Sequence, residues 1–504
     1  MTAATAATAT PAQTPGRWVI DGQVLQTEAR LRGMGQYALE LLVALGARSD
    51  LAVTVVLTDA LPDAAARASL AERAPGIDIA VLPLLLDDLA GASHRARNLA
   101  TWDTFLRTRT ADDDPLGFLL LSPMQGTILP VMPSRVAGVI RWALVYDLIP
   151  LMFPELYLQH PVKASEYERR LGNILTADGV LTISATVAND VALGLGIDGS
   201  RISSIDGAPI PHALGRASVP GLRDAYVLMP TGNDVRKNNG RAVAAFREFA
   251  ATDPDVQLVV TSDFTAAQRA ALAGVRADQV LFTGPVSGEQ MNELYAGATA
   301  VLFPPVYEGL GLPVLEAVER RVPVACSDIP VFREITDGGV AWFDPESVPQ
   351  MVQALGRVCG PDAQRPRLTE DQRSAVLRRF SWPEVARRFV SSTTDLATAA
   401  FLPDPNPYTR LELVGPDPAD DARAGRMLLD VVAEVSRRAD TRVLIEAGGG
   451  DLIRRALGAR ELIRGTAPDD SRSQVHLLSS SPACSLTLVH AMSVPASRWC
   501  WTPI

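Results

Sequence analysis

Two glutamates, Glu308 and Glu316, stand eight positions apart with Gly309, Gly311 and Pro313 between them. Carboxylates can accept hydrogen bonds from a ligand's hydroxyls, and glycines let a ligand approach the backbone closely. The apolar run Ala300–Phe303 before them reads as a buried strand. Pro313 then opens a helix at a position where its missing N–H costs nothing. Strand, glycine loop and helix N-terminus together present unpaired N–H groups and the positive end of a helix dipole. An anion such as a pyrophosphate suits that setting. Glu308 falls in the loop and Glu316 in the first helical turn, within reach of hydroxyl groups. A site that cradles phosphate and also reads a diol points to a nucleotide-sugar.

A second cluster is cationic. Basic residues total 47, yet lysine occurs only at Lys163 and Lys237. Lys237 follows Arg236 in the run Pro230-Thr231-Gly232-Asn233-Asp234-Val235-Arg236-Lys237-Asn238. A lysine kept in so arginine-rich a chain is a candidate for chemistry of its own. The competing reading is a solvated basic turn. For the glutamates it is two surface carboxylates around a turn.

The elements that must position these residues alternate between strand and helix. Trp18–Asp21, Leu51–Leu57, Phe118–Leu121, Val139–Val145 and Ala177–Ile183 read as strands. Gly35–Leu45, Thr101–Arg109 and Ala185–Leu195 read as helices. After a Pro- and Gly-rich stretch at Pro209–Pro220 the alternation restarts. Strands are expected at Tyr226–Pro230, Gln257–Ser262, Gln279–Phe282, Ala300–Phe303 and Pro323–Cys326, and helices at Gly240–Ala250, Met291–Ala296 and Pro313–Arg321. Such alternation predicts parallel sheets covered by helices on both faces. The expected class is α/β, with two Rossmann-like doubly wound domains facing a cleft, where ligands bind at the carboxyl ends of strands. The expected organisation is a disordered tail over 1–16, a first α/β domain over 17–215 and a second over 216–400. A helix starts near 380, and residues 401–504 form a linker and C-terminal α/β extension. There Arg423–Gly448 repeats the rhythm of Gly33–Leu57, which suggests a partial duplication of the first domain; an unrelated extension is the alternative.

Bulk properties exclude several classes. A formal net charge of −10 argues against a nucleic-acid partner. The four cysteines are widely spaced and suit neither a zinc site nor a disulfide framework, which implies a reducing compartment. The N-terminus has no signal-peptide pattern, and the longest apolar region, Val136–Phe153, is broken by Arg141, Asp147 and Pro150. The expectation is a cytoplasmic protein, soluble or peripheral at the inner face of the cell membrane. Arg95, Arg97, Arg107 and Arg109 flank Trp102 and offer a face for anionic lipid, with a solvated surface as the alternative. Asp112-Asp113-Asp114 reads as an acidic loop rather than a metal site, and the five histidines lack ligand spacing.

Assembled, these motifs resemble a family 4 glycosyltransferase of the GT-B fold, over about Trp18 to Ala397. Arg32-Gly33-Met34-Gly35-Gln36-Tyr37 resembles the family's glycine loop. Val145-Tyr146-Asp147-Leu148 resembles its His-Asp-Leu segment, with Tyr146 where a histidine is usual. The Gly232–Asn238 run resembles the family's Arg-Lys-Asn segment, with Asn233 in place of the usual arginine or threonine. Glu308-Gly309-Leu310-Gly311-Leu312-Pro313 resembles Glu-Gly-Phe-Gly-Leu-Pro. Ser184 and Asp190 resemble the end of the family's first domain, where Ser184 would line the cleft. Phe282-Thr283-Gly284-Pro285-Val286 resembles a base-binding turn, and Phe380-Ser381-Trp382 the start of the cross-over helix.

The resemblance implies a retaining hexosyltransferase using a nucleotide-diphosphate sugar as co-substrate, with neither a resident cofactor nor a catalytic metal. Glu308 would place the donor sugar, Glu316 would bind the ribose, and Arg236 and Lys237 would stabilise the leaving group. Asp147 would contact sugar or acceptor. Gly33, Gly35, Gly232, Asn233, Gly284, Val286 and the Gly309–Leu312 backbone would meet phosphate, sugar or base. Likeness to bacterial surface-polysaccharide (lipopolysaccharide) mannosyltransferases favours GDP-mannose, with a glycan or polyprenyl-linked acceptor. Two alternatives stand beside this: a nucleotide-sugar epimerase of the same fold, and a non-catalytic nucleotide-sugar-binding partner subunit.

Overall fold

The computed structural model describes residues 15–401, except 87–91, 111–114, 127, 212–217, 274–277 and 337, and three short strands beyond them. The chain divides into two units. One takes residues up to Thr182, Ala188–Ser203 and those from Phe389; the other takes Ile183–Val187 and Ser204–Arg388.

The first unit runs β1 (Arg17–Asp21), α1 (Gly33–Gly46), β2 (Ala52–Thr58), α2 (Ala64–Arg73), β3 (Asp78–Leu82), α3 (Ala92–Arg107), β4 (Leu116–Leu120) and β5 (Val139–Val145). It continues through α4 (Ile149–Met152), α5 (Pro154–Tyr157), α6 (Pro161–Leu175), β6 (Gly179–Thr182), α7 (Ala185–Leu195), whose first three residues belong to the second unit, and β7 (Ile202–Ser204). The sheet order is β3-β2-β1-β4-β5-β6-β7, and the pairings from β3 through β6 are parallel. β4 and β5 are buried along their whole length, because helices cover both faces. Trp18 of β1 packs its ring 4.9 Å from that of Trp142 and 4.6 Å from that of Phe389. Gly117 makes room for it, since a Cβ there would sit 2.6 Å from the indole.

The second unit runs β8 (Tyr226–Pro230), α8 (Asn239–Phe249), β9 (Gln257–Thr261), α9 (Ala266–Ala273), β10 (Val280–Phe282), α10 (Gly288–Gly297) and β11 (Ala300–Phe303). Then come α11 (Leu312–Glu319), β12 (Val324–Ser327), α12 (Pro330–Ile335), β13 (Ala341–Phe343), α13 (Val348–Cys359), α14 (Glu370–Arg379) and α15 (Trp382–Phe401), whose residues from Phe389 belong to the first unit. All six strands are parallel, in the order β10-β9-β8-β11-β12-β13. Strand order therefore reverses between β8 and β11, the switch point at which open α/β sheets bind ligands. One face of the sheet packs Phe246, Phe249, Leu258, Val260, Leu302, Met351 and Leu355 into a core.

Three details differ from expectation. Pro15 and Gly16 are part of the fold rather than a loose tail: Trp18 Nε1 donates to the Pro15 carbonyl at 2.9 Å, and Ala52 N–H to that of Gly16 at 2.8 Å. The main division falls between Ser203 and Ser204, not at 215. The cause is local: Asp206 pairs with Arg379 at 3.0 Å and with Arg388, and Trp382 Nε1 donates to Pro209 O at 3.0 Å. Helix α3 begins at Ala92 and buries Trp102 completely against Phe118 and Phe105. Trp102 is thus a core residue and cannot anchor a lipid-facing surface.

Strands β14 (Leu411–Val414), β15 (Thr441–Leu444) and β16 (Ser473–Leu478) form a separate parallel sheet in the order β14-β16-β15. The linker over 402–407, the helix expected over 424–438 and Asp112–Asp114 lie outside the described residues. Among the described residues, no helix is long and apolar enough to cross a membrane.

Candidate functional site

The glycine loop follows β11. Pro304 and Pro305 end the strand, since proline cannot donate to a sheet ladder. Gly311 is left-handed, with φ +97°, and a Cβ on it would lie 2.5 Å from the Phe332 ring. Only glycine meets both conditions. Gly311 caps α11, which opens at Leu312 with Pro313 second. This earlier opening moves Glu316 to the fifth helical position, in the second turn rather than the first. Glu316 is buried, and its carboxylate faces the fully buried phenol of Tyr295 on α10. Burial first, and then that carboxylate, push the Tyr295 pKa well above its usual value.

The basic turn follows β8. Asp234 Oδ1 accepts from the Arg236 N–H at 3.0 Å and shapes the turn. Asn238 is left-handed at φ +60°, a conformation asparagine tolerates better than most residues. Its Nδ2 donates to Pro304 O at 3.1 Å and to Pro345 O at 2.6 Å. Val306 N–H donates to Arg236 O at 2.8 Å, and Arg236 Nη1 to Tyr307 O at 2.9 Å. The turns after β8 and β11 are thereby sewn together at the switch point.

That stitching brings three predicted residues into one cluster. Glu308 Oε1 accepts from Arg236 Nη1 at 2.7 Å and from Lys237 Nζ at 2.6 Å. Lys237 Nζ also stands 5.3 Å from the centroid of Phe303. Burial pushes the Glu308 carboxyl up, but the charges and hydrogen bonds of Lys237 and Arg236 outweigh it and hold the pKa below the usual value. Glu308 is therefore an anion with two positive partners, all three largely shielded from water. Breaking such a buried pair costs roughly 3–5 kcal/mol, so the cluster is also structural. Chemically it offers a carboxylate for hydroxyl groups and two cations for phosphate, next to a helix N-terminus.

The remaining candidates of this unit are placed less tightly. Gly232 has open space where a Cβ would be, and its carbonyl accepts from Asn239 Nδ2 at 2.8 Å. Asn233 and Gln268 exchange amide hydrogen bonds of 3.1 and 3.2 Å, which leave Asn233 one N–H and one lone pair for a ligand. Gly284 is left-handed at φ +70° with open space around it, and Val286 follows in the turn after β10, three strands from β11. Leu310 is buried. Ser184 is 1% exposed and donates from Oγ to the Gly309 carbonyl at 2.7 Å. It is a brace inside this unit rather than a lining residue.

In the first unit, Gly33 and Gly35 are the first and third residues of α1, not a loop before it, because the extended Arg32 already caps the helix. Gly35 is required by packing, since a Cβ there would lie 2.3 Å from Ala29 O; Gly33 faces open space. Tyr146 is buried, with its ring 5.4 Å from that of Tyr37. Burial pushes its phenol pKa far up, and the nearby Ser122 hydroxyl offsets only part of that. Asp147 caps the turn after β5 by accepting from the Ile149 N–H at 3.0 Å.

Sequence reasoning assigned no role to Asn238 or Tyr295. The position of Asn238 at a tight turn was a readable signal, since asparagine favours left-handed backbone. Tyr295 carried none, because a tyrosine inside a helix reads as core.

Residues 223–374, within the second unit, match the family model described as glycosyl transferases group 1. The serotype-specific mannosyltransferase WbdA of Escherichia coli is 25% identical over 253 residues, covering 44% of this chain and 30% of the relative. The O-antigen chain mannosyltransferase RfbU of Salmonella typhimurium is 24% identical over 219 residues, covering 42% and 59%. The chain thus spans about a third to three-fifths of these relatives. Among solved structures, an α,α-trehalose-phosphate synthase (UDP-forming) from Burkholderia vietnamiensis superposes with a TM-score of 0.53 at 14% identity, over 77% of this chain and 99% of that one. A sucrose-phosphate synthase from Thermosynechococcus elongatus gives 0.52 at 18% identity, over 74% and 96%. These structures share the two-sheet architecture, so the chain has the GT-B fold, and its second unit carries a glycosyl transferases group 1 region.

Proposed function

We propose that the chain is a retaining glycosyltransferase that moves a hexose from a nucleotide diphosphate to a glycan or polyprenyl-linked glycan, in bacterial surface-polysaccharide synthesis. The observation that carries this reading is the convergence of Arg236 and Lys237 on Glu308 at the switch point of the second sheet. Mannose, and with it GDP-mannose, is favoured because relatives such as WbdA and RfbU are named as mannosyltransferases. A polyprenyl-linked acceptor would place the reaction at the cytoplasmic face of the membrane.

In this reading the diphosphate displaces Glu308 from one or both cations. The bond from the sugar's anomeric carbon to the diphosphate oxygen breaks, and its electron pair stays on the diphosphate beside Arg236 and Lys237. The acceptor oxygen bonds that carbon on the same face and passes its proton to the departing diphosphate. Glu308, released from the cations, accepts hydrogen bonds from the sugar and holds its ring. Glu316 takes the ribose hydroxyls.

A thermal-shift screen with GDP, UDP and dTDP tests the binding half. A ligand at a hundred times its Kd should add about 2.7 kcal/mol to stability. GDP release from GDP-mannose tests the chemical half. A second reading, a nucleotide-sugar-binding subunit without turnover, is favoured by Tyr146, a buried phenol that does not titrate near neutrality. Nucleotide binding with no release from any nucleotide-sugar would support it.

A further inference from the structure

The strongest unexplained contact in the second unit is that of Ser184 with the glycine loop. The two residues are 125 positions apart, yet the Ser184 hydroxyl donates to Gly309 O at 2.7 Å in a buried setting. The direction of that hydroxyl is fixed. Its oxygen already accepts from the Val187 N–H at 3.1 Å, so its proton is directed at Gly309. The segment bearing Ser184 is itself held by Glu334 of α12, which accepts from the N–H groups of Ala185 at 2.9 Å and Thr186 at 2.5 Å. Helix α12 also supplies Phe332, the ring against which Gly311 closes. One short helix thus braces the loop at Gly311 and, through Ser184, at Gly309.

A trans peptide is planar, with C=O and N–H pointing in opposite directions. Pinning the Gly309 carbonyl therefore sets the direction of the Leu310 N–H. Without a pin, that peptide could rotate at low cost, because Gly309 has no Cβ. Among the described residues, no backbone carbonyl accepts from Leu310 N–H. We infer that Ser184 is a positioning residue: it locks the Gly309–Leu310 peptide so that the Leu310 N–H faces the anionic part of the donor. This rests on the reading that the loop holds a nucleotide diphosphate.

The test compares wild type with Ser184→Ala, Ser184→Thr and Ser184→Cys, titrated with GDP and GDP-mannose while the Leu310 amide resonance is followed. Ser184→Ala should weaken binding about tenfold, the scale of one lost hydrogen bond, and Ser184→Thr should stay within about twofold of wild type. The Leu310 amide should shift on GDP addition in wild type and Ser184→Thr but not in Ser184→Ala, a response that loss of the α7 cap alone would not abolish. If Ser184→Ala does not fold, Ser184→Cys, a weak donor, should bind several-fold less tightly than Ser184→Thr. Equal affinities and an unchanged Leu310 response in all variants overturn the inference while leaving the donor reading intact. No nucleotide binding by wild type overturns both.

Discussion

Each sheet has a switch point, and each has a buried carboxylate beside it, but the two carboxylates are handled in opposite ways. In the first unit, order reverses between β1 and β4, and Asp21 ends β1. Its partner is uncharged: Gln23 donates to Asp21 through its backbone N–H at 3.1 Å and its side chain at 3.0 and 3.1 Å. Burial wins over these bonds and raises the pKa from 3.8 to about 6. In the second unit, Glu308 follows β11 and meets two cations, which overcome its burial and lower its pKa. The same architecture thus yields one carboxylate that resists charge and one that is committed to it. Only the second provides cations for a phosphate. Gly-x-Gly spacing occurs in both units and did not reveal this difference.

The largest expected effect breaks the cationic side. Lys237→Ala should slow GDP release from GDP-mannose by about a thousandfold, the scale of removing a charge-stabilising donor. Asp21→Asn should change that rate by less than about twofold, and equal losses would erase the contrast. Glu308→Gln should slow transfer about a hundredfold yet hold or tighten GDP binding, because the cations are freed for phosphate. Looser GDP binding in that variant would instead mean that Glu308 serves the nucleotide directly. Gly311→Ala should destabilise by roughly 2–4 kcal/mol in denaturant titrations, from left-handed strain plus the clash with Phe332. Gly33→Ala, at the open first position of α1, should stay within about 0.5 kcal/mol of wild type.

A further contrast between the two carboxylates concerns pH. Because the folded pKa of Asp21 is raised from 3.8 to about 6, its contribution is fully present below the lower value. It is lost as pH rises through the higher one, up to about 3 kcal/mol. Asp21→Asn removes that loss, and the Gln23 side-chain amide, already hydrogen-bonded to residue 21, can pair with the new amide. The variant should melt several degrees above wild type at pH 8 and close to it near pH 4. Glu308 has the opposite sign: its contribution is present above the usual carboxylate value and lost as pH falls through its lower folded value.

The legible parts of the chain were those with unbroken local signals. Strands β5, β8 and β11 and helix α7 have the bounds read from their apolar runs and turn residues. Strand β3 was missed because it is an edge strand with no buried residue. Helix α10 was expected to start at Met291, but the capping box of Ser287 and Gln290 starts it at Gly288. The chemistry of Glu308, Arg236 and Lys237 was readable from residue type and neighbouring turns. Their pairing was not, because Lys237 and Glu308 are 71 positions apart and meet only because β8 lies beside β11. Strand order depends on tertiary packing, which local spacing does not encode. The same holds for Ser184 and Gly309.

The central claim is that the switch point of the second sheet binds a nucleotide diphosphate through its two cations. Calorimetric titration of GDP, UDP and dTDP into wild type and Lys237→Ala tests it directly. At least one nucleotide, GDP first, should bind wild type, and its affinity should fall about a hundredfold in Lys237→Ala. No binding of any of the three, or binding that Lys237→Ala leaves unchanged, would contradict the account.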